Sequence, residues 1–415
     1  MLSLRSFPLA TPAALFGLLL GLRAAVGCSS IDPATSSSTT SASSSSAGAG
    51  GAVGAGGAGG SGGGQALGLN DITWLTPLPA ATEAVLARAT DLASDGKPLL
   101  SKALVTQALT IPGSINSLGG SNPYERLHVV AARFDLCDRA EAGACKDAED
   151  ARFRLVFQPI QGAQFDDLGF HVFYSVPRAE VPKVVAALRE LAALQAEPLT
   201  SPLHVSKGIS AGGDYVTKLR ALLATYCSEA TVVRVTVMGQ DLTAAAFRWR
   251  FHGIEKTGGS FQEIPILAGG SSFEEVVLLN NTSYDATPKL DKPKGMSLAL
   301  DEQDFAAAGK GEQTLALDAL AQIDNPLINV PNTLSCASCH IATIVLAARA
   351  EASGIDPKTL PSAFKTSFDT SVAAGESAEN SVILRGLGYR GVLVAISQRV
   401  VNETAQALVE INARF

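Results

Sequence analysis

The chain of 415 residues is poor in methionine, tryptophan and histidine, with 3, 2 and 5 of each, and aromatic residues make up only 6 %. It has no run of clustered lysine and arginine, and its formal charge is −7. Phosphate contacts need clustered cations, so nucleic acid is excluded as a partner. Past the N-terminus no apolar run reaches the roughly 18 residues needed to cross a bilayer, which excludes a polytopic membrane protein. One C-x-x-C occurs, but no second copy and no H-x-x-x-H, so a four-ligand zinc site lacks half its donors. Gly309-Lys310-Gly311 lacks the preceding glycine of a Walker-type loop. Internal repeats are also missing. What is present is apolar content, 47 % against 17 % charged, enough for one large or two medium cores and too much for a disordered chain.

The N-terminus reads as an address. Arg5 opens residues 1–27, and Pro8 to Leu22 form an apolar stretch of signal-peptide length. Ala25-Val26-Gly27-Cys28 resembles the lipobox of bacterial lipoproteins, which implies cleavage before Cys28 and its acylation. Two or three acyl chains make a firm membrane anchor where one is marginal. Ser29 follows in place of an aspartate, which by the same resemblance implies the outer membrane, facing the periplasm or the cell surface. An ordinary signal peptide cut nearby is the alternative. Residues 28–66 are almost entirely Ser, Thr, Ala and Gly and read as a lipid-anchored, disordered tether with a span of about 30–36 Å.

The remaining residues divide by pattern. In 67–300, strands are expected at Leu127–Leu136, Phe153–Ile160, Phe170–Val176, Thr231–Met238, Phe247–Ile254 and Phe261–Leu267, with helices at Glu180–Gln195 and Asp214–Tyr226. Strand runs mixed with a few helices predict an α+β domain with a mostly antiparallel sheet. Residues 301–415 read as a small helical module, with helices at Glu302–Ala308, Gln313–Ile323, Ser335–Glu351 and Ile396–Asn412.

Of six cysteines, Cys28 is the lipid site. Cys137 and Cys145 flank a polar loop and, in an oxidising compartment, read as a local disulfide. Cys227 has no evident partner and reads as a buried thiol. The others lie in Ser335-Cys336-Ala337-Ser338-Cys339-His340, and C-x-x-C-H is the attachment motif for haem c. Two residues between the thiols put both on one side of a helical turn, where each meets one vinyl group. The imidazole that follows then faces the iron. The motif should arise by chance about once in a thousand chains of this composition. A C-x-x-C disulfide with an incidental histidine, or a metal site, are the competing readings.

These six residues resemble a mono-haem cytochrome c. The resemblance implies thioether bonds at Cys336 and Cys339 and iron ligation by His340. Small cytochromes c usually take their sixth iron ligand from a methionine downstream of the motif, and this chain has neither Met nor His after His340. Met296, in a Lys-Pro-Lys-Gly-Met loop, is the best-placed candidate. Met238 reads as core, and His128, His171, His204 and His252 as structural residues on or near strands. An open sixth position is the other expectation. The stretches Arg385–Tyr389 and Ser397–Glu403 are similar to segments of uncharacterised bacterial lipoproteins that carry the same motif. Arg385, Arg390 and Arg399 are candidates for haem propionates, with surface positions the favoured reading.

Gly208-Ile209-Ser210-Ala211-Gly212 matches G-x-S-x-G, but the half-polar segment before it and the antiparallel strands argue against a nucleophile elbow. His252 is the one histidine left to serve such a Ser210. The function expected is therefore a membrane-anchored c-type cytochrome passing single electrons to a redox partner protein. It reads as an electron carrier more readily than as an enzyme, with peroxide reduction a subsidiary idea. The alternative is a non-redox surface lipoprotein that binds a partner and carries a Cys336–Cys339 disulfide.

Overall fold

Along residues 151–157, Phe153, Leu155 and Phe157 alternate with Arg152, Arg154 and Val156. A strand with this pattern has one apolar face and one that must find partners for guanidinium groups. That asymmetry organises the fold. In a computed structural model, the structure describes residues 65–78, 86–109, 123–137, 145, 150–161, 164–195, 197–240, 247–264, 273–280, 282–287, 289–291, 293–330, 333–373 and 375–415. The signal segment, Cys28 and nearly all of the expected tether lie outside them.

The elements, in chain order, are α1 (Leu69–Ile72), β1 (Thr73–Leu75), α2 (Lys102–Leu109), β2 (Leu127–Asp135), β3 (Ala151–Gln161), β4 (Gln164–Phe165) and β5 (Leu168–Val176). Next come α3 (Val181–Leu194), α4 (Lys207–Ala211), α5 (Gly213–Tyr226), β6 (Val232–Gln240), β7 (Arg248–Thr257), β8 (Ser260–Glu263), β9 (Glu274–Asn280) and β10 (Ser283–Thr287). The chain ends with α6 (Met296–Leu300), α7 (Glu302–Ala307), α8 (Lys310–Asp324), α9 (Cys336–Ser353), β11 (Leu387–Arg390), β12 (Leu393–Ile396) and α10 (Gln398–Arg414).

The protein is α+β. Ten described strands form one antiparallel sheet in the order β1-β2-β3-β5-β6-β7-β9-β10, with β4 paired to β3 and β8 to β7. One face carries Phe153, Leu155, Phe157, Phe170, Val172 and Val235. It packs against the apolar stripes of α2, α3 and α5, including Leu104, Val185, Leu188 and Leu219. The other face receives α9, which contacts β7 and β9, and α10, which contacts β2. Trp249, Phe251 and Val276 of the sheet share a second apolar cluster with Leu317, Leu320, Ile341 and Val345 of α8 and α9.

No division falls at residue 300. All described residues belong to one compact unit. Residues 301–415 also contain the β11–β12 hairpin, so that stretch is not purely helical. The reason is burial: α9 and α10 of that stretch pack on the second face of the sheet. The strand expected to run from Phe261 to Leu267 is the short β8, and residues 265–272 lie outside the described set. No helix among the described residues is long and apolar enough to cross a membrane.

Candidate functional site

Helix α9 starts where a capping side chain permits. The Ser335 hydroxyl accepts from the backbone N–H of Ser338 at 3.1 Å, and Cys336 is the first helical residue. The helix ends at Gly354, whose φ of +66° is the left-handed cap position glycine fills without strain. Cys336 and Cys339 are therefore one turn apart, and His340 follows. All three line a cleft of about 310 Å³ between α9, α10 and the sheet.

The opposite wall is built by strand register. Residues directly opposed across antiparallel strands project from the same face. One rung runs Arg154, Phe173, Arg234, Glu255; the next runs Val156, His171, Thr236, Gly253; a third runs Gly169, Met238, Phe251, Glu274. The Arg154 and Arg234 guanidiniums lie 4.7 and 5.7 Å from the centre of the Phe173 ring. Gly169 leaves room for Arg385, whose Nη1 would stand 2.2 Å from a Cβ at that position.

His340 is held by one hydrogen bond, from Nδ1 to the carbonyl oxygen of Leu384 at 2.5 Å. A carbonyl can only accept, so Nδ1 carries the hydrogen and Nε2 carries the lone pair. Burial, opposed in part by that bond, pushes the imidazole down to about 4, so it is neutral at pH 7. Its ring stacks at a tilt against Phe251, centroids 5.0 Å apart, and lies 6.1 Å from the ring of His171. Burial, with His340 close by, holds His171 well below its usual range too.

The thiols are neutral. Burial pushes Cys339 up to about 11 and Cys336 higher still, and the two are not bridged to each other. The first turn of α9 also meets a carboxylate, since the Ala337 N–H donates to Glu274 at 2.5 Å. An anion there is favoured by the helix dipole. Burial nonetheless raises Glu274, which is 1 % exposed, to about 7.

The cleft is also lined by Arg154, Arg399 and Glu403, which belong to a buried ionic cluster. Glu403 accepts from Arg133 at 2.5 Å and Arg399 at 2.7 Å, and Arg154 stands 3.6 Å away. Asp135 neutralises the other side of Arg133 at 2.7 Å. Burial opposes the Glu403 charge, but the three arginines outweigh it and hold the carboxylate well below its ordinary range.

The residues singled out in the sequence fall as follows. Cys336, Cys339 and His340 converge on the cleft. Met296 is fully buried in the second apolar cluster and does not line the cleft; nor does Met238. Its position at the start of α6, packed on α8 and α9, is what seats the Met296 side chain in core. Cys137 and Cys145 are joined by a disulfide with Cα atoms 5.7 Å apart.

Arg385 and Arg399 are 2 % and 3 % exposed, which corrects the surface reading. Arg385 is paired with Asp167 at 2.9 Å, and Arg399 also donates to the carbonyls of Ile323 and Asn329. Burial is tolerated because each finds a carboxylate, Asp167 for Arg385 across the fold and Glu403 for Arg399 one helical turn on. Arg390 is half-buried, 3.9 Å from Asp167.

Ser210 sits inside α4, its hydroxyl donating to the Ser206 carbonyl at 2.9 Å, with no strand–turn–helix elbow around it. His204 is bound to Glu197 and to the Val205 carbonyl. His128 is buried and pushed down to about 4 by that burial.

Sequence reasoning did not single out Arg154, Arg234, Glu274 or Glu403, and it read His171 as structural. The signal for Arg154 and Arg234 was present, as charged residues alternating with apolar ones along buried strands. No family model, curated protein or solved structure matches this chain.

Proposed function

We propose that the protein is an exported c-type cytochrome, anchored to membrane lipid through Cys28, that passes single electrons to a redox partner protein. The observation that carries this reading is the state of His340. Its Nδ1–H is fixed on a backbone carbonyl, Nε2 makes no hydrogen bond among the described residues, and the residue lines a cleft together with two unbridged thiols one turn or less away. Metal-binding histidines characteristically donate their second ring N–H in this way.

The donor set fits haem. Cys336 and Cys339 would hold it covalently: each sulfur bonds to one vinyl carbon and each thiol hydrogen goes to the other, so nothing is oxidised or lost. His340 would bind the iron. Arg154 and Arg234 are basic groups on the cleft wall suited to carboxylates. Bound haem supplies a one-electron iron couple, tuned by its axial ligands and by the dryness of its surroundings. The chain's own work is to fix the imidazole, exclude water with Phe173 and Phe251, and hold α9 against the sheet.

The test is denaturing electrophoresis with haem staining of protein produced with a cytochrome c maturation system. Wild type should keep its haem through denaturation, and Cys336→Ala/Cys339→Ala should lose it. A colourless wild type whose two thiols are joined as a disulfide would favour the partner-binding lipoprotein instead. Cys28→Ala should move the protein from the membrane to the soluble fraction; unchanged fractionation would remove the anchor from the account.

A further inference from the structure

We propose that His171 is the sixth ligand of the iron, opposite His340, making this a bis-histidine cytochrome whose haem is gripped between a helix and a sheet. The inference rests on the reading of the cleft as a haem site and deepens it. The two rings have centroids 6.1 Å apart and planes inclined at 52°. An imidazole–metal bond is about 2 Å and a ring nitrogen lies about 1.1 Å from its ring centre, so two imidazoles trans across one metal place their centroids about 6 Å apart. The spacing found is the spacing such a pair requires.

The setting of His171 agrees. It lies on β5, a central strand paired on both sides, so its backbone is fixed by the ladders to β3 and β6. Its ring makes no hydrogen bond among the described residues. The residue is half-buried and lines the cleft, where its ring is open to a ligand. The other histidines do not compete. His204 is committed to Glu197 and Val205; His252 borders the cleft, but its register opposite Val237 puts its side chain on the other face of the sheet. Along the rung His171 is flanked by Val156 and Thr236, and beyond Thr236 lies Gly253, with Ile264 packed over it.

Two consequences follow. With both axial positions filled by protein, no coordination site remains for peroxide or a gas, which suits an electron carrier. Histidine in place of methionine also removes the ligand that raises the potential of cytochromes c.

The experiment compares matured wild type, His171→Ala, His171→Gln and Met296→Leu by visible and electron paramagnetic resonance spectroscopy, with carbon monoxide added to the ferrous forms. Wild type should be low-spin, without the 695 nm feature of methionine ligation, and should not bind carbon monoxide. Both His171 variants should become high-spin and bind it. Added imidazole should restore the low-spin spectrum of His171→Ala, and Met296→Leu should match wild type. The wild-type spectrum decides the ligand pair even if one variant fails to fold. Covalent haem with an unchanged spectrum in either His171 variant would overturn the assignment and leave the cytochrome reading standing. Wild type that holds no covalent haem would overturn both.

Discussion

Glu403→Gln is the perturbation whose size the structure constrains most closely. Glutamine keeps the shape of the side chain and removes the charge shared by Arg133, Arg399 and Arg154. Those arginines are 2.5, 2.7 and 3.6 Å away, and all are largely shielded from water. Asp135 remains for Arg133 and Arg154, but Arg399 keeps only carbonyl partners. Removing one member of a buried ionic cluster leaves uncompensated charge and costs about 3–5 kcal/mol. In a folded unit of about 350 residues, that is a fall of about 4–7 °C in Tm. Circular dichroism during thermal and urea unfolding measures it.

The pH dependence supplies a sign. The folded-state carboxylate titrates well below its ordinary value of 4.5, so its contribution is complete above 4.5 and is lost as pH falls from there through the folded value. The deficit of Glu403→Gln should be full at pH 7 and should shrink below 4.5. A deficit under about 1 kcal/mol at pH 7, or one that widens on acidification, would refute the reasoning.

Three other substitutions probe the scaffold. Glu274 is shifted the other way, with a folded value near 7 against 4.5, so haem-free wild type should lose up to about 3 kcal/mol between pH 4.5 and 7.5. Glu274→Gln should show a flatter profile in urea titrations, and parallel profiles would contradict this. Cys137→Ser/Cys145→Ser opens a short loop, with a separation of 8, and should lower stability by about 2–3 kcal/mol in the same assay. Gly169→Ala places a Cβ 2.2 Å from Arg385 Nη1, with Asp167 pinning the guanidinium, and should cost about 1–3 kcal/mol. A neutral effect would mean that Arg385 can move freely.

The sequence discloses what is local. Strand composition located β2, β3, β5, β6 and β7 to within a few residues, and helical spacing did the same for α3, α5 and α8. The C-x-x-C-H motif is legible because its three groups are fixed by one turn of one helix. The rest of the cleft is assembled by register and by long-range contact. His171 precedes His340 by 169 positions, and nothing near either residue signals the other. Glu274 looks like a surface residue in a Glu-Glu pair until the ladder sets it opposite Phe251, under the first turn of α9. Arg385 and Arg399 look like surface charges because their carboxylates lie on β-strand loops or a later helical turn. Chain position alone points to Met296 as a ligand, and packing against α8 and α9 gives it an apolar seat instead.

The most direct test of the central claim is a visible spectrum of the mature protein, produced with a cytochrome c maturation system, before and after acid–acetone extraction. Covalent attachment at Cys336 and Cys339 predicts a Soret band that stays with the polypeptide through extraction. A protein that is colourless despite proper maturation, or whose band leaves with the solvent, would contradict the account.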